Sequence, residues 1–251
     1  VKEIYKTGGA HSIAAFTYGT KTFKKVNKIV GPGNAFVASA KKEVFGEVGI
    51  DMVAGPSEVS VVADNYSNPE WIASDLIAQA EHDTFAQSIL ISNSKKLIRL
   101  VNSSLKLQIE NLPKKDIASK SIKNYGIAIY AKSQKKIIEI INIIAPEHLE
   151  IHFKNYNNIL KKINNAGSIF IGKFSPEAMG DYLAGPNHVL PTSGSAKFSS
   201  GLSVNDFLKR HSLIKISKSG IERLGPSVIN LAKHENLEGH ANSVKIRIKK
   251  R

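Results

Sequence analysis

Gln79 and His82, three residues apart, form the first pair whose types and spacing could do chemistry. They fall near the end of a predicted helix, where residues three apart project from the same face. Two such side chains can share a metal ion, as Glu-x-x-His pairs do in carboxylate-bridged bundles. Glutamine is an uncommon zinc ligand, so the pair taken alone is better interpreted as a surface or helix-capping pair.

Glu147 and His148 are adjacent in the run APEHLEI, which follows an apolar predicted helix. Proline disfavours helical backbone at the residue before it, so Pro146 predicts a junction between elements. A carboxylate beside an imidazole suits general acid–base catalysis, because histidine titrates near neutral pH. An exposed polar pair is the alternative interpretation.

Glycine-rich turns offer two further candidate sites. Residues 31–34 (GPGN) separate a predicted strand from a predicted helix. Such a turn lets a ligand approach the backbone, and the helix N-terminus offers free N–H groups to a phosphate. Residues 8–11 (GGAH) form a second glycine turn, which is expected near a strand. A purely structural turn is the alternative in both cases.

Ser57 and the segment 175–192 combine polar side chains with residues that restrict the backbone. Ser57 follows a Gly-Pro turn in DMVAGPSEV and could hydrogen-bond a substrate, although a turn residue is the simpler interpretation. No G-x-S-x-G elbow surrounds it, so it is not predicted to be a nucleophile. Segment 175–192 mixes proline and glycine with Asp181, Asn187 and His188, which predicts a shaped site loop.

Short apolar runs alternate with helix-like stretches along most of the chain. The predicted strands cover residues 26–30, 59–62, 88–91, 127–130 and 168–171. The predicted helices cover residues 35–45, 69–82 after an Asn68 cap, about 94–111 and 133–143. Strands and helices in alternation indicate a mostly parallel sheet covered by helices, so the predicted class is α/β.

The pattern changes from about Ser203, where the chain is predicted to be helical and to end in a basic tail. This segment is too short for a core of its own and is expected to pack on a neighbour. It contains Glu235 and His240, five residues apart, and nothing local predicts that they are ligands. A solvated helix end is the default interpretation.

Composition limits the class of protein. The 251 residues are 42% hydrophobic and 22% charged, as in ordinary globular proteins, and they include no cysteine, which excludes disulfides and thiolate metal sites. No apolar run reaches the roughly 18 residues needed to cross a bilayer, and the start lacks a secretory pattern. The formal charge of +14 comes from scattered lysines rather than a patch. We therefore expect a cytoplasmic enzyme without nucleic-acid or membrane partners.

Six strings in one order resemble the histidinol dehydrogenase family over essentially the whole chain: GPGNAFVASAK, IDMVAGPSEV, SDLIAQAEHD, APEHLEI, SPEAMGDYLAGPNHVLPT and ENLEGHANSV. The resemblance implies incomplete Rossmann-like parallel sheets covered by helices, with a helical C-terminal tail. It also implies two cofactors, NAD and one Zn²⁺ per subunit. The implied zinc ligands are Gln79, His82, Asp181 and His240.

The resemblance also assigns roles to other residues. Glu147 and His148 correspond to the catalytic pair, and Asn34 to an NAD contact. A second NAD contact is implied at His11, where the family usually has glutamine; because histidine cannot reproduce both ends of an amide, we expect altered NAD affinity. The implied substrate contacts are Ser57, Gln79, His82, His148, Asp181, Glu235 and His240.

The implied reaction converts L-histidinol to L-histidine in two oxidations, each of which reduces one NAD. His148 would take the hydroxyl proton as hydride leaves, giving bound histidinal. Glu147 would then activate water, and the hydrated aldehyde would lose a second hydride with His148 again as the base. The substrate imidazole and amino nitrogen would complete the zinc shell, so that the metal serves as an orienting template.

The family's chains extend further at the N-terminus, and this chain begins with valine, so we expect it to start inside a longer reading frame. Residues 1–56 are then the end of a nucleotide-binding-like domain, residues 57–202 the second half of the main α/β domain, and residues 203–251 a helical tail. Expressed alone, such a chain is expected to be insoluble or inactive. The family forms homodimers in which Glu235 and His240 serve the other subunit's site.

Three rival interpretations remain at this stage. The chain could be a truncated, inactive relic of the enzyme, although candidates stand at every zinc and catalytic position. It could be a basic nucleic-acid-binding protein, which a steep salt dependence of binding would support. It could also be a related dehydrogenase acting on another amino alcohol, although Glu235 and Asp181 near an imidazole-sized pocket favour histidinol.

Overall fold

The chain divides into two compact units, which a computed structural model describes over residues 1–248. The first unit is Val1–Asp206, and the second begins at Phe207. The described strands all lie in the first unit: β1 (Lys28–Ile29), β2 (Gly49–Ile50), β3 (Glu58–Ala63), β4 (Gln87–Ser92), β5 (Ile127–Tyr130), β6 (His148–Ile151) and β7 (Ser168–Ile171).

Helices connect these strands and make up most of the second unit. Those of the first unit are α1 (Ala10–Tyr18), α2 (Ala35–Val44), α3 (Pro69–Ala80), α4 (Lys95–Glu110), α5 (Lys115–Tyr125), α6 (Gln134–Ile144), α7 (Asn157–Leu160) and α8 (Glu177–Tyr182). The second unit has α9 (Lys218–His234) and α10 (Glu238–Ile248). The predicted α/β class is confirmed. No helix in the described part of the chain is long and apolar enough to span a membrane.

The main sheet has five parallel strands in the order β5-β4-β3-β6-β7. The chain runs outward from β3 through β4 to β5, then returns to the other side of β3 as β6. The direction of winding therefore reverses between β3 and β6. In open α/β sheets such a reversal opens a crevice where ligands bind.

Burial on both faces explains why four of the six residues of the central strand are apolar. Every residue of β3 (EVSVVA) is buried. Val59 and Val61 belong to an apolar cluster with α3 and α4, whereas Val62 belongs to a second cluster with α6 and β6 on the opposite face. Near-continuous apolar strands are typical of parallel sheets covered by helices on both sides.

Two predicted boundary signals act as the sequence indicates. The Asn68 side chain accepts hydrogen bonds from the backbone of Glu70 and Trp71, which caps α3 directly before Pro69. Helix α6 ends at Ala145, before Pro146. Ala145 is the C-cap of this helix: its backbone is left-handed, with φ of 52°, and its N–H donates to the Ile141 carbonyl.

Other local expectations were wrong. The glycine turn at residues 8–11 begins helix α1 rather than adjoining a strand, with Gly9 as the N-cap at φ of 76°. The first predicted strand is reduced to the two residues of β1. Segment 175–192 is not all loop, since α8 occupies its first third. Helix α5 and strand β6 were not predicted.

The two-stranded sheet, β1 with β2, lies beside a small apolar cluster of Ile13, Val44 and Val48. In the second unit, α9 and α10 approach closely at Gly225, where a Cβ atom would lie 3.0 Å from Val244 Cγ1. The helical character predicted for the tail is confirmed. The finer domain limits at residues 56 and 202 stay predictions.

Candidate active site

A cavity of about 320 Å³ opens where β3 and β6 begin, at the reversal of the winding direction. It brings together seven polar residues that the sequence singled out: Ser57, Gln79, His82, Glu147, His148, Asp181 and His188. Ligands of doubly wound sheets usually bind at the carboxyl ends of the strands. Here the polar residues gather at the amino ends of the same two strands.

His148 is the first residue of β6 and is buried at the base of this cavity. Its Nδ1 atom lies 3.2 Å from the Glu58 carbonyl oxygen. Among the described residues its Nε2 atom has no hydrogen-bond partner, and it lies 3.6 Å from Asp181 Oδ1. Burial alone would lower the pKa of His148, but the interaction with Asp181 and the charges of Glu177 and Glu147 outweigh it and raise the pKa to about 9.

Glu147 precedes His148 and is also buried. Its Oε2 atom accepts a hydrogen bond of 2.9 Å from the Glu58 N–H. Burial raises the pKa of Glu147 to about 7, against the opposing charge of His148. Gly167 leaves the room that this arrangement needs, since a Cβ atom there would lie 2.5 Å from the Glu147 carbonyl oxygen. A carboxyl group with a pKa near neutrality is suited to proton transfer.

Glu177 holds the side chain of Gln79 in one orientation. Both residues are buried, on α8 and α3 respectively. With its nitrogen toward Glu177, the Gln79 amide donates hydrogen bonds of 2.8 and 3.2 Å to the two carboxylate oxygens. The reverse orientation would set oxygen against oxygen, so the hydrogen-bond network fixes the assignment. Gln79 also lines the cavity, so its amide oxygen is a candidate ligand atom there.

His82, Glu177 and Asp181 form a cluster that could hold a metal ion. Each offers one ligand atom, and these atoms lie within 4.8 Å of one another. Burial raises the pKa of Glu177 to about 8, whereas the nearby His148 imidazole lowers the pKa of Asp181. Imidazole nitrogen and carboxylate oxygen are ordinary zinc ligands. The donor set therefore fits zinc, and a cation would compensate the crowded carboxylates.

Glu58 ties the start of β3 to the loop after Thr192. Its Oε1 atom accepts a hydrogen bond of 3.0 Å from the Ser193 N–H. Ser193 has φ of 53°, followed by Gly194 with φ of 76°, so consecutive N–H groups turn toward one carboxylate. Burial raises the pKa of Glu58 despite these contacts.

A second cavity, of about 530 Å³, adjoins the GPGN turn and shares Gly33 and Ser57 with the first. Asn34 lines it and caps α2, since its side chain accepts hydrogen bonds of 3.1 Å from the N–H groups of Phe36 and Val37. The predicted site beside a helix N-terminus is therefore located next to the histidine-containing cavity.

A buried ion pair holds the GPGN turn from behind. Lys41 pairs with Asp51, and both side chains are almost completely buried. Asp51 Oδ2 accepts a hydrogen bond of 2.7 Å from the Gly31 N–H, and Lys41 donates one of 3.0 Å to the Gly31 carbonyl. Both polar groups of Gly31 are thereby fixed at the start of the turn.

Residues 1–248 match the family model described as Histidinol dehydrogenase. The chain belongs to the histidinol dehydrogenase family. It is 60% identical over 252 residues to the histidinol dehydrogenase of Pelagibacter ubique, covering 100% of this chain and 59% of that relative. The corresponding protein of Clostridium acetobutylicum is 54% identical over 249 residues, covering 99% of this chain and 58% of the relative.

A solved structure gives the same result for the fold. The crystal structure of histidinol dehydrogenase from Elizabethkingia anophelis has a TM-score of 0.92 at 42% identity, covering 99% of this chain and 57% of that one. The chain thus spans less than three fifths of the length of these histidinol dehydrogenases. The family resemblance inferred from the six strings is confirmed.

Four predicted site residues of this chain lie outside the first cavity. Asn34 lines the second cavity, and His11 lies exposed in the first turn of α1. Glu235 caps the C-terminus of α9, and His240 lies near the start of α10, both exposed within the second unit. Their assigned roles stay predictions.

Two buried carboxylates of the site, Glu58 and Glu177, were missed. A signal for each exists in the sequence. Glu58 opens an otherwise apolar strand, where an unpaired charge would be costly. Glu177 lies four residues before Asp181, so a short helix places both on one face.

Proposed function

We propose that the protein containing this chain is a zinc- and NAD-dependent histidinol dehydrogenase, which oxidises L-histidinol through bound histidinal to L-histidine and reduces two NAD. The observation that supports this most is the buried Glu147–His148 pair beside a cluster suited to a cation. The family assignment agrees with it.

His148 is proposed as the base in both oxidations. Its Nε2 atom is buried, belongs to the wall of the cavity and has no hydrogen-bond partner, so it can receive the hydroxyl proton of a substrate. The Nδ1 atom lies beside the Glu58 carbonyl, which fixes the ring and favours a proton on that nitrogen. A base must be neutral, so the pKa near 9 has to fall when the surrounding carboxylates are neutralised.

Glu147 is proposed to activate the water that attacks histidinal. Its Oε2 atom is held by the Glu58 N–H, and its pKa near 7 lets it accept and release a proton near neutral pH. Because Glu147 and His148 are adjacent and both buried, one residue can serve the hydration while the other serves the hydride steps.

Zinc is proposed to bind Gln79, His82 and Asp181, with His240 of the partner subunit as the fourth ligand in a homodimer. The position of Gln79 in the cavity lining and the cluster of His82 with Asp181 support the first three. When bound, zinc would hold and orient the substrate, and NAD would accept the hydride.

The same residues are proposed to bind the substrate, joined by Ser57, His148 and the partner subunit's Glu235. Asn34 and His11 are proposed as NAD contacts. Because Ser57 and Gly33 border both cavities, a dinucleotide in the second cavity would adjoin a substrate in the first. Hydride transfer requires such direct contact between the two reactants.

The test uses the protein expressed from its complete reading frame. We expect it to bind one zinc per subunit and to form two NADH for each L-histidinol consumed. His148→Gln should abolish most of this turnover, whereas His211→Gln, at an exposed position in the second unit, should not change it. Zinc-loaded protein that forms no NADH from L-histidinol would contradict the proposal.

A further inference from the structure

A second polar cluster, formed by Asp75, Glu150 and His152, lies outside the residues that line the first cavity. His148, Glu150 and His152 alternate along β6 and its continuation, so their side chains share one face of the sheet. Asp75 precedes Gln79 by four residues on α3, so it lies on the same face of that helix. The two elements therefore align two rows of polar side chains.

Contacts within this second cluster converge on Glu150, which is completely buried. One carboxylate oxygen lies 3.1 Å from His152 Nε2, and that same nitrogen lies 3.8 Å from Asp75 Oδ2. Burial and the charge of Glu150 raise the pKa of Asp75 to about 8. This raised pKa favours the protonated form of Asp75, which can donate a hydrogen bond to Glu150.

The other carboxylate oxygen of Glu150 faces the active-site side. It accepts a hydrogen bond of 2.7 Å from the N–H of Glu177, the first residue of α8. The N-cap residue of α8 is Pro176, which supplies no side-chain cap, so Glu150 takes the place of one. Charge-assisted bonds of this kind are stronger than neutral ones.

The orientation of Glu177 in turn fixes the residues proposed to hold zinc. The Glu177 carboxylate receives both hydrogen bonds from the Gln79 amide. One helical turn later, α8 carries Asp181. A shift of the first turn of α8 would therefore disturb two proposed zinc ligands from different elements at once.

We propose that Glu150 is a positioning residue of the zinc site: supported by Asp75 and His152, it anchors α8 so that Glu177 and Asp181 hold their places. This inference rests on the proposed function. Groups behind metal ligands commonly change metal affinity by about 10–100-fold when they are removed.

The first test replaces Glu150 in the protein expressed from its complete reading frame. Glu150→Met keeps the volume but removes the acceptor, leaving the Glu177 N–H unpaired. Glu150→Gln retains an oxygen that can face that N–H. We expect about 10–100-fold weaker zinc binding for Glu150→Met, measured by competition with a chromophoric chelator. Glu150→Gln should bind zinc almost as well as the unmodified protein.

A second pair of variants changes Asp75, which supports Glu150. This pair tests the positioning role of Glu150 even if Glu150→Met does not fold. Asp75→Asn retains a donor for Glu150, whereas Asp75→Leu removes it and leaves the charge without that partner. We expect weaker zinc binding for Asp75→Leu alone. Ile137→Val, in the apolar cluster on the opposite face of the sheet, controls for lowered stability. It should lower the unfolding temperature of the zinc-free protein without changing zinc affinity.

The outcomes separate this inference from the proposed function. Equal zinc affinity of Glu150→Met, Glu150→Gln and the unmodified protein would overturn the inference while leaving the function intact. So would an equal loss in Asp75→Asn and Asp75→Leu. If the unmodified protein bound no zinc, the proposed function would fail, and this inference with it.

Discussion

Similar polar residue types lie at both ends of strands β3 and β6. Their hydrogen bonds are complete at the carboxyl ends of the strands and incomplete at the amino ends. At the carboxyl end, Asp64 accepts hydrogen bonds of 3.0 Å from the N–H groups of Tyr66 and Lys154, one at each carboxylate oxygen. The hydroxyl of Ser67 donates to the His152 carbonyl at 3.0 Å and accepts a hydrogen bond of 3.2 Å from the Asp64 N–H. These contacts close the loops that leave the two strands.

At the amino end, the polar groups are incompletely satisfied. His148 Nε2 has no partner, and the pKa values of Glu147 and His148 are raised to about 7 and about 9. A cavity opens there, and the cluster of His82, Glu177 and Asp181 adjoins it. Buried carboxylates thus serve stability where every oxygen has a donor, and chemistry where atoms are left available to a ligand.

Replacement of His148 should cause the largest change, a loss of turnover. We expect His148→Gln to lower turnover of L-histidinol by about 10²–10⁴-fold, the usual contribution of a general base. Zinc binding and the unfolding temperature should change little, because glutamine fills similar space. Steady-state kinetics on zinc-loaded protein measure the effect. Full turnover in this variant would show that the amino end has another base.

A substitution at the carboxyl end of β3 should lower stability but leave turnover unchanged. Asp64→Ala leaves the N–H groups of Tyr66 and Lys154 without acceptors, which we expect to lower the free energy of unfolding by about 1–3 kcal/mol. Urea denaturation measures the loss, with Asp64→Asn as the milder control. Turnover per folded molecule should be unchanged; a large fall in turnover would remove the distinction between the two ends.

Local signals in the sequence account for most of the fold but only part of the site. The Asn68 cap, the Pro146 junction and the apolar runs of β3 and β4 predict their elements because each signal acts within a few residues. Strand β6 was missed because HLEI is only four residues long, which is too short for its polar–apolar alternation to stand out as a strand pattern.

The site itself depends on long-range packing that no local spacing records. Gln79, His148 and Asp181 come from α3, β6 and α8 and meet only because the sheet reverses between β3 and β6. Their roles were inferred from the family resemblance rather than from spacing. Glu177 was missed because its role depends on Gln79, a partner almost a hundred residues earlier in the chain.

Stability measured over a series of pH values should show whether Asp75 holds a proton in the folded protein. The pKa of Asp75 is raised from 3.8 to about 8, so the folded protein retains a proton that the unfolded chain releases above pH 4. The resulting stability is complete below that pH and is lost as the pH rises through about 8. The slope should not exceed about 1.4 kcal/mol per pH unit for one proton. Urea unfolding of zinc-free protein measures it, and Asp75→Asn should lack this component; equal slopes would contradict the assignment.

The smallest effect should come from Ser60, whose hydroxyl is buried without a partner in the middle of β3. Ser60→Ala removes a desolvated hydroxyl and loses no hydrogen bond, so the free energy of unfolding should change by less than about 0.5 kcal/mol. Ser88→Ala is the matched control, because the Ser88 hydroxyl donates a 2.8 Å bond to the Leu76 carbonyl, and its loss should cost about 1 kcal/mol.

Ser60 also shows when a buried polar atom without a partner indicates a functional site and when it does not. Its neighbours across the sheet are Ile89 and Leu149, so its hydroxyl meets apolar side chains, whereas His148 Nε2 belongs to the wall of a cavity. An orphan polar atom therefore indicates chemistry only where a ligand can reach it. If Ser60→Ala proved as destabilising as Ser88→Ala, its hydroxyl would have a partner after all, and only His148 would remain unsatisfied on these strands.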